Sequence, residues 1–160
     1  MVVLEPITPE NVRAVYDLRV GPGQDQFVAP NSWSLAQALS GGDLAWPRAI
    51  RVDGEIAGFL MLEIDPVDSQ GRMYWLWRLM VAAARQRSGI GAAAVALAAD
   101  EVRRRGGAEL WTSWVALPGG PEAFYRKLGF EPTGDLIDGE VVGRLQLQER
   151  ERGDGQADDR

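Results

Sequence analysis

The 160-residue sequence contains neither cysteine nor histidine. The first absence excludes disulfides and a thiol nucleophile, and the two together exclude a Cys/His zinc site. A Ser-His-Asp triad is also impossible, because its relay base does not exist in this chain. Any proton transfer must therefore use Tyr, Asp, Glu, Lys, a terminal group or water. Lysine is nearly absent as well: Lys127 is the single one among 17 basic residues. No apolar run approaches the roughly 18 residues of a membrane helix. The start Met1-Val2-Val3-Leu4-Glu5-Pro6 lacks the basic and apolar regions of a signal peptide, so the expectation is a cytoplasmic protein with no membrane partner.

What is present is ordinary for a globular domain, with 46% hydrophobic and 25% charged residues. A net charge of −6 argues against a general nucleic-acid binder and fits a cationic substrate, though it also serves solubility alone. Residues 1–148 read as a single domain. The tail from Glu149, ERERGDGQADDR, has no apolar residue except Ala157 and reads as disordered.

Val2-Val3-Leu4 predicts a first strand. Thr8, with Pro9 in the first turn, predicts a capped helix whose apolar face is Val12, Val15 and Leu18. After the break at Gly21-Pro22-Gly23, Ser32 or Ser34 caps a second helix carrying Leu35, Ala38 and Leu39 and ending at Gly41-Gly42. Trp46 to Val52 and Glu55 to Ile64 read as strands joined by an Asp53-Gly54 hairpin turn. Met73 to Ala82 is another strand, apolar on both faces.

A long helix follows from about Gly89 to Arg105, with stripes at Val95, Ala98 and Val102 and at Ile90, Ala94 and Leu97. Arg103-Arg104-Arg105 read as a solvated end and Gly106 as the cap. Ala108 to Ser113, Pro121 to Leu128, a strand opening at Phe130 and Val141 to Leu147 complete the order β-α-α-β-β-β-α-β-α-β-β. The fold class is thus α/β (α+β), a mixed sheet with helices on both faces.

The chemistry sits after the strand ending at Val81-Ala82, in Gln86-Arg87-Ser88-Gly89-Ile90-Gly91-Ala92. A glycine turn into a helix leaves backbone N–H groups unpaired at a positive helix end, a natural seat for phosphate oxygens. Gly89 and Gly91 remove Cβ atoms from the approach, and Arg85 and Arg87 add positive charge. No Walker string G-x-x-x-x-G-K-[ST] exists here, and the dinucleotide fingerprint lacks its early strand and acidic ribose ligand. By itself the turn indicates only an anion-friendly helix start.

The string Gln86-x-x-Gly89-x-Gly91, with Leu79 and Val81 before it, resembles the [QR]-x-x-G-x-[GA] signature of the GNAT N-acetyltransferases. Downstream, Phe124-Tyr125-Arg126-Lys127-Leu128-Gly129-Phe130 resembles that family's F-Y-x-x-x-G-F signature. The resemblance implies a mostly antiparallel central sheet of about seven strands with about four helices. It also implies acetyl-CoA as cosubstrate, no metal, and a small-molecule amine as acceptor, and it allows a homodimer. Cofactor-binding positions are then Leu79, Val81, Gln86, Arg87, Ser88, Gly89, Ile90, Gly91 and Ala92. Gln26-Phe27-Val28-Ala29-Pro30-Asn31-Ser32, Trp75-x-Trp77-Arg78-x-Met80 and Pro132-Thr133-Gly134 look like the diamine and spermine/spermidine acetyltransferase branch. An aminoglycoside, a protein or peptide amine, or a catalytically silent CoA-binding module stands as the alternative.

Two proton transfers follow from that implied reaction. An acceptor ammonium of pKa about 10.4 must lose a proton, and a departing thiolate of pKa about 8.5 gains one. Tyr125 resembles the family's general acid; from a phenol of pKa about 10 the transfer is uphill by about 2 kcal/mol. Trp75 stands where several relatives carry a Glu that serves as base on the fourth strand, which points to water removing the proton, aided by a carboxylate elsewhere. Glu63 is the catalytic, amine-facing candidate, with Asp65 and Asp68 nearby. Pro118 stands where many relatives carry an Asn, and Gly119-Gly120-Pro121 offer backbone groups in its place. Arg78, mid-strand in apolar company, calls for a carboxylate partner.

Overall fold

Every element in that order forms. The computed structural model describes residues 1–147, so the acidic tail lies outside the described residues. The strands are β1 (Val2–Pro6), β2 (Ala45–Val52), β3 (Glu55–Ile64), β4 (Tyr74–Val81), β5 (Glu109–Trp114), β6 (Glu131–Ile137) and β7 (Glu140–Gln146). The helices are α1 (Val12–Asp17), α2 (Asn31–Gly41), α3 (Ile90–Arg104) and α4 (Glu122–Lys127). The seven strands form one sheet in the order β1-β2-β3-β4-β5-β7-β6. All neighbours are antiparallel except β4 and β5.

β3 anchors the sheet. Ala57 and Phe59 to Leu62 are fully buried, and each large side chain contributes roughly 1.5–3 kcal/mol by leaving water. Leu60 and Leu62 face a core shared with Val95, Ala98 and Val102 of α3 and Tyr125 of α4. Phe59 and Met61 face the opposite core, with Val15 and Leu18 around α1. The Asp53-Gly54 turn has φ of 50° and 87°, the paired positive values that a two-residue hairpin turn needs. Asp138-Gly139, with φ of 50° and 82°, makes the same turn between β6 and β7.

Several local expectations are corrected. Thr8 does not cap α1: its N–H donates to Asn11 Oδ1 at 2.8 Å, and the helix begins only at Val12. Asn11 is buried and also donates to the Pro6 carbonyl and to Glu5, so it staples the corner between β1 and α1. Neither Ser32 nor Ser34 caps α2, which starts after Pro30; Ser34 lies one turn inside and is buried. Leu39 and Leu97 are exposed, because the faces that pack on the sheet turn away from them.

Two irregularities in β4 position the site. Met61 pairs with Arg78 and Leu62 with Leu76, so Trp77 is an extra residue, a bulge that reverses which face the following side chains take. Tyr74 and Leu76 therefore share the α3-side core with Leu79 and Val81, while Trp77 and Met80 join the other. Beside the bulge, β4 and β5 pair at only two positions, Trp75 with Trp111 and Leu76 with Thr112, before they part. The sheet is notched from Trp77 onward.

Candidate active site

Two cavities, of about 750 and about 720 Å3, meet at this notch. Phe27, Val28, Leu79, Pro121 and Tyr125 line both. The first lies over the start of α3. Gly89 precedes that helix with φ of 79°, and a Cβ there would meet no atom within 4 Å, so the position is open as well as left-handed. The first helical hydrogen bond runs from Ala93 N–H to the Gly89 carbonyl, which leaves the N–H groups of Ile90, Gly91 and Ala92 without helical partners. Arg85, Arg87 and Lys127 line this cavity, and among the described residues no Asp or Glu does.

Leu79, Val81, Gln86, Arg87, Gly89, Ile90, Gly91 and Ala92 all line it. Ser88 does not: its hydroxyl turns away to the Arg85 carbonyl at 2.5 Å. Arg85 also pairs with Glu55. Gly91 also packs against Phe124, since a Cβ there would sit 3.2 Å from the Phe124 ring. The two sequence motifs thus touch directly. Gln86 acts inward as well, donating to the Val81 carbonyl at 3.0 Å and exchanging amide hydrogen bonds with Gln24 at 2.7 and 3.0 Å. It fixes the turn and ties it to the segment between α1 and α2. Gly119, Gly120 and Pro121 line the same cavity, beside the position of Pro118.

The second cavity has the opposite electrostatic character. Asp25, Glu63, Asp68, Asp138 and Glu140 line it against Arg72 and Arg78. Trp75, Trp77 and Trp114 supply apolar wall. Glu63 is the register partner of Trp75, so its carboxylate sits one strand over from the position the family's Glu would take. Burial holds the Glu63 carboxyl above the ordinary carboxylate range, with Asp65 and Asp68 adding to the shift. Asp68 is occupied locally, accepting from the Gln70 and Arg72 N–H groups.

Tyr125 is buried at the junction, stacked on Trp114 at 5.5 Å and edge-on to Phe124 and Phe130. Burial pushes its phenol up to about 12, with a Thr112 hydrogen bond pulling the other way. The phenol therefore keeps its proton throughout the physiological range.

Arg78 has no carboxylate partner among the described residues, contrary to expectation. The bulge turns it toward α2, where it donates to Gln37 Oε1 and to the Trp77 carbonyl, both at 2.8 Å. Burial lowers its pKa below the usual guanidinium value, and its Nε has no hydrogen-bond partner.

Gln24, Ser113 and Glu140 belong to this region and escape the sequence reading. The Asp138-Gly139 dipeptide is the signal that reaches Glu140: read as a hairpin turn, it starts a strand there. Nothing local marks Gln24, whose partner is 62 residues away. Among the described residues, no group of three or more His, Cys, Asp or Glu could hold a metal ion. No helix there is long and apolar enough to cross a membrane.

The sequence model of the Acetyltransferase (GNAT) family matches residues 11–130. No curated protein matches the chain significantly. Among solved structures, the ribosomal-protein-S18-alanine N-acetyltransferase of Escherichia coli superposes with a TM-score of 0.68 at 22% identity, over 96% of this chain and 98% of its own. An aminoglycoside 6'-N-acetyltransferase complexed with coenzyme A gives 0.70 at 16%, over 94% and 98%. A GNAT family acetyltransferase from Elizabethkingia anophelis with acetyl-CoA bound gives 0.67 at 16%, over 91% and 98%.

Proposed function

The chain belongs to the GNAT acetyltransferase family, and on that footing we propose that it acetylates a small primary amine, a diamine or polyamine, with acetyl-CoA as donor. The observation that carries the reading is the opposed charge of the two cavities. Among the described residues, one has three cations, unpaired helix N–H groups and no carboxylate, and the other has five carboxylates against two arginines. A polyanionic donor suits the first and a cationic acceptor the second. Two of the three branch-like strings support the acceptor class, since Gln26 to Pro30 and Trp75, Trp77 and Arg78 line the acidic cavity.

Acetyl-CoA, when bound, supplies the acyl group as a thioester. The residues of this chain do the rest. The N–H groups of Ile90, Gly91 and Ala92, with Arg87 beside them, seat the pyrophosphate, and Gly89 provides the left-handed corner. Glu63 faces the incoming ammonium. Tyr125, at the junction, holds the proton that the departing sulfur takes. We extend the reading to a cytoplasmic homodimer, whose assembly light scattering of the purified chain tests.

Free-thiol release from acetyl-CoA, measured over diamines, polyamines, aminoglycosides and peptides, tests the function. The expected result is the highest kcat/KM with a diamine or polyamine. A preference for an aminoglycoside or a peptide amine would replace the acceptor class. Tight CoA binding with no turnover of any amine would mark a silent module and overturn the reading.

A further inference from the structure

The acidic cavity contains, besides Glu63, a carboxylate whose charge acts on Tyr125 at the junction. Glu140 opens β7 directly after the Asp138-Gly139 turn. Ser113 of β5 donates to Glu140 Oε2 at 2.6 Å, which leaves Oε1 as the oxygen to meet a ligand. Both residues line the cavity together with Thr112, Trp114 and Tyr125. β5 lies on the far side of the notch from β4, and the Ser113–Glu140 pair at its end lines the same cavity as Tyr125. The negative charge of Glu140 acts on both Tyr125 and Arg78, whereas the charges that act on Glu63 are those of Asp65 and Asp68 in the loop after β3.

We infer that Glu140, held by Ser113, receives the proton of the acceptor's ammonium. The inference rests on the acetyltransferase reading above. In this step an N–H bond of the ammonium breaks and an O–H bond forms on Glu140. The electron pair stays on nitrogen, which becomes the nucleophile. Tyr125 cannot serve, because its oxygen already carries a proton, and histidine is absent. The groups facing Glu140 across the cavity are Tyr125 from α4, Arg78 from β4, Glu63 from β3 and Arg72 with Asp68 from the loop between those strands. Asp138 flanks it on its own turn, and Asp25 faces it from the segment after α1. Glu63 and Glu140 divide the work: the first attracts the cation and the second deprotonates it.

The test is Glu140→Gln in the full chain, which keeps an acceptor for Ser113. kcat/KM is measured from pH 6.5 to 9.5 with the best amine of the panel. General bases typically contribute 10²–10⁴-fold, so a loss of about 100-fold is expected at pH 7. That loss should shrink to a few-fold near pH 9.5, where solvent deprotonates the amine unaided. Ser113→Ala, which keeps the carboxylate and loosens it, should show a smaller loss with the same pH trend. CoA affinity and thermal melting near those of the parent establish that both variants fold. A deficit equal at every pH, or absent at pH 7, overturns the assignment and leaves the acetyltransferase reading intact. A parent protein that acetylates no amine overturns both.

Discussion

Replacing Tyr125 with Phe removes one oxygen from the place where the two cavities meet, and its effect on stability should reverse sign with pH. At neutral pH the variant loses the phenol's polar attraction to the Thr112 hydroxyl, worth up to about 1 kcal/mol. The alkaline side behaves differently. In the folded protein the phenol ionises at about 12, whereas in the unfolded chain it does so near 10. A raised pKa contributes stability that is fully present below the unfolded value and is lost as pH climbs to the folded one. Over that window the folded protein retains a proton that the unfolded chain has released, so the parent loses up to about 2.7 kcal/mol between pH 10 and 12.

Tyr125→Phe cannot lose that contribution. The two proteins differ only at this side chain, so the difference between them isolates Tyr125. The variant should be less stable by about 1 kcal/mol at pH 8, equal to the parent between about pH 10 and 11, and more stable above that. Urea titrations of both proteins from pH 8 to 11.5 measure this. A constant difference across the range would refute the claim that burial holds the phenol neutral. The same value bears on catalysis. Moving a proton from a phenol at about 12 to a thiolate at about 8.5 is uphill by about 4.8 kcal/mol, not the 2 expected of an exposed tyrosine. A sulfur in the same dry notch has its own pKa raised, which narrows the gap. Turnover of Tyr125→Phe should fall 10-fold or more with CoA affinity nearly intact, and unchanged turnover would remove Tyr125 as the acid.

Gly89→Asp should abolish CoA binding in calorimetry, since it sets a carboxylate among unpaired N–H groups at a φ of 79°; normal affinity would refute the phosphate turn. Gly143→Ala acts at a distance: its Cβ would come within 2.3 Å of the Trp114 ring, which stacks on Tyr125. It should cost about 1–3 kcal/mol in denaturant melts and lower kcat while sparing CoA affinity, and a fully active, equally stable variant would show that the ring moves freely.

Features encoded by neighbours in the chain were legible in the sequence. Asp53-Gly54 predicted a hairpin because two positive φ values are a local demand. The span Glu55 to Ile64 matched β3 end to end because burial on both faces leaves a continuous apolar run. The turn into α3 was legible through Gly89, whose left-handed backbone needs no partner to be recognised. What escaped depends on distant partners. The bulge at Trp77 exists only in register with β3, and it alone explains why Arg78 meets Gln37 instead of a carboxylate. Thr8 reads as a cap until Asn11, folded against Pro6, supplies the oxygen first. Gly91 reads only as room for phosphate until Phe124 packs on it. Glu140 reads as a strand end until Ser113 is placed beside it.

The parting of β4 and β5 also has a mechanical meaning. Mechanically, the sheet is two plates, β1 to β4 and β5 to β6, riveted along a seam two residue pairs long. Backbone ladders elsewhere resist shear along four or more pairs, with six between β5 and β7. A ligand lying in the gap contacts both plates and so closes the seam, and its binding energy becomes cohesion between them. The join should be the first part of the sheet to open to solvent and the part most firmly set by occupancy. Amide exchange at Trp111 and Thr112 would read that seam directly.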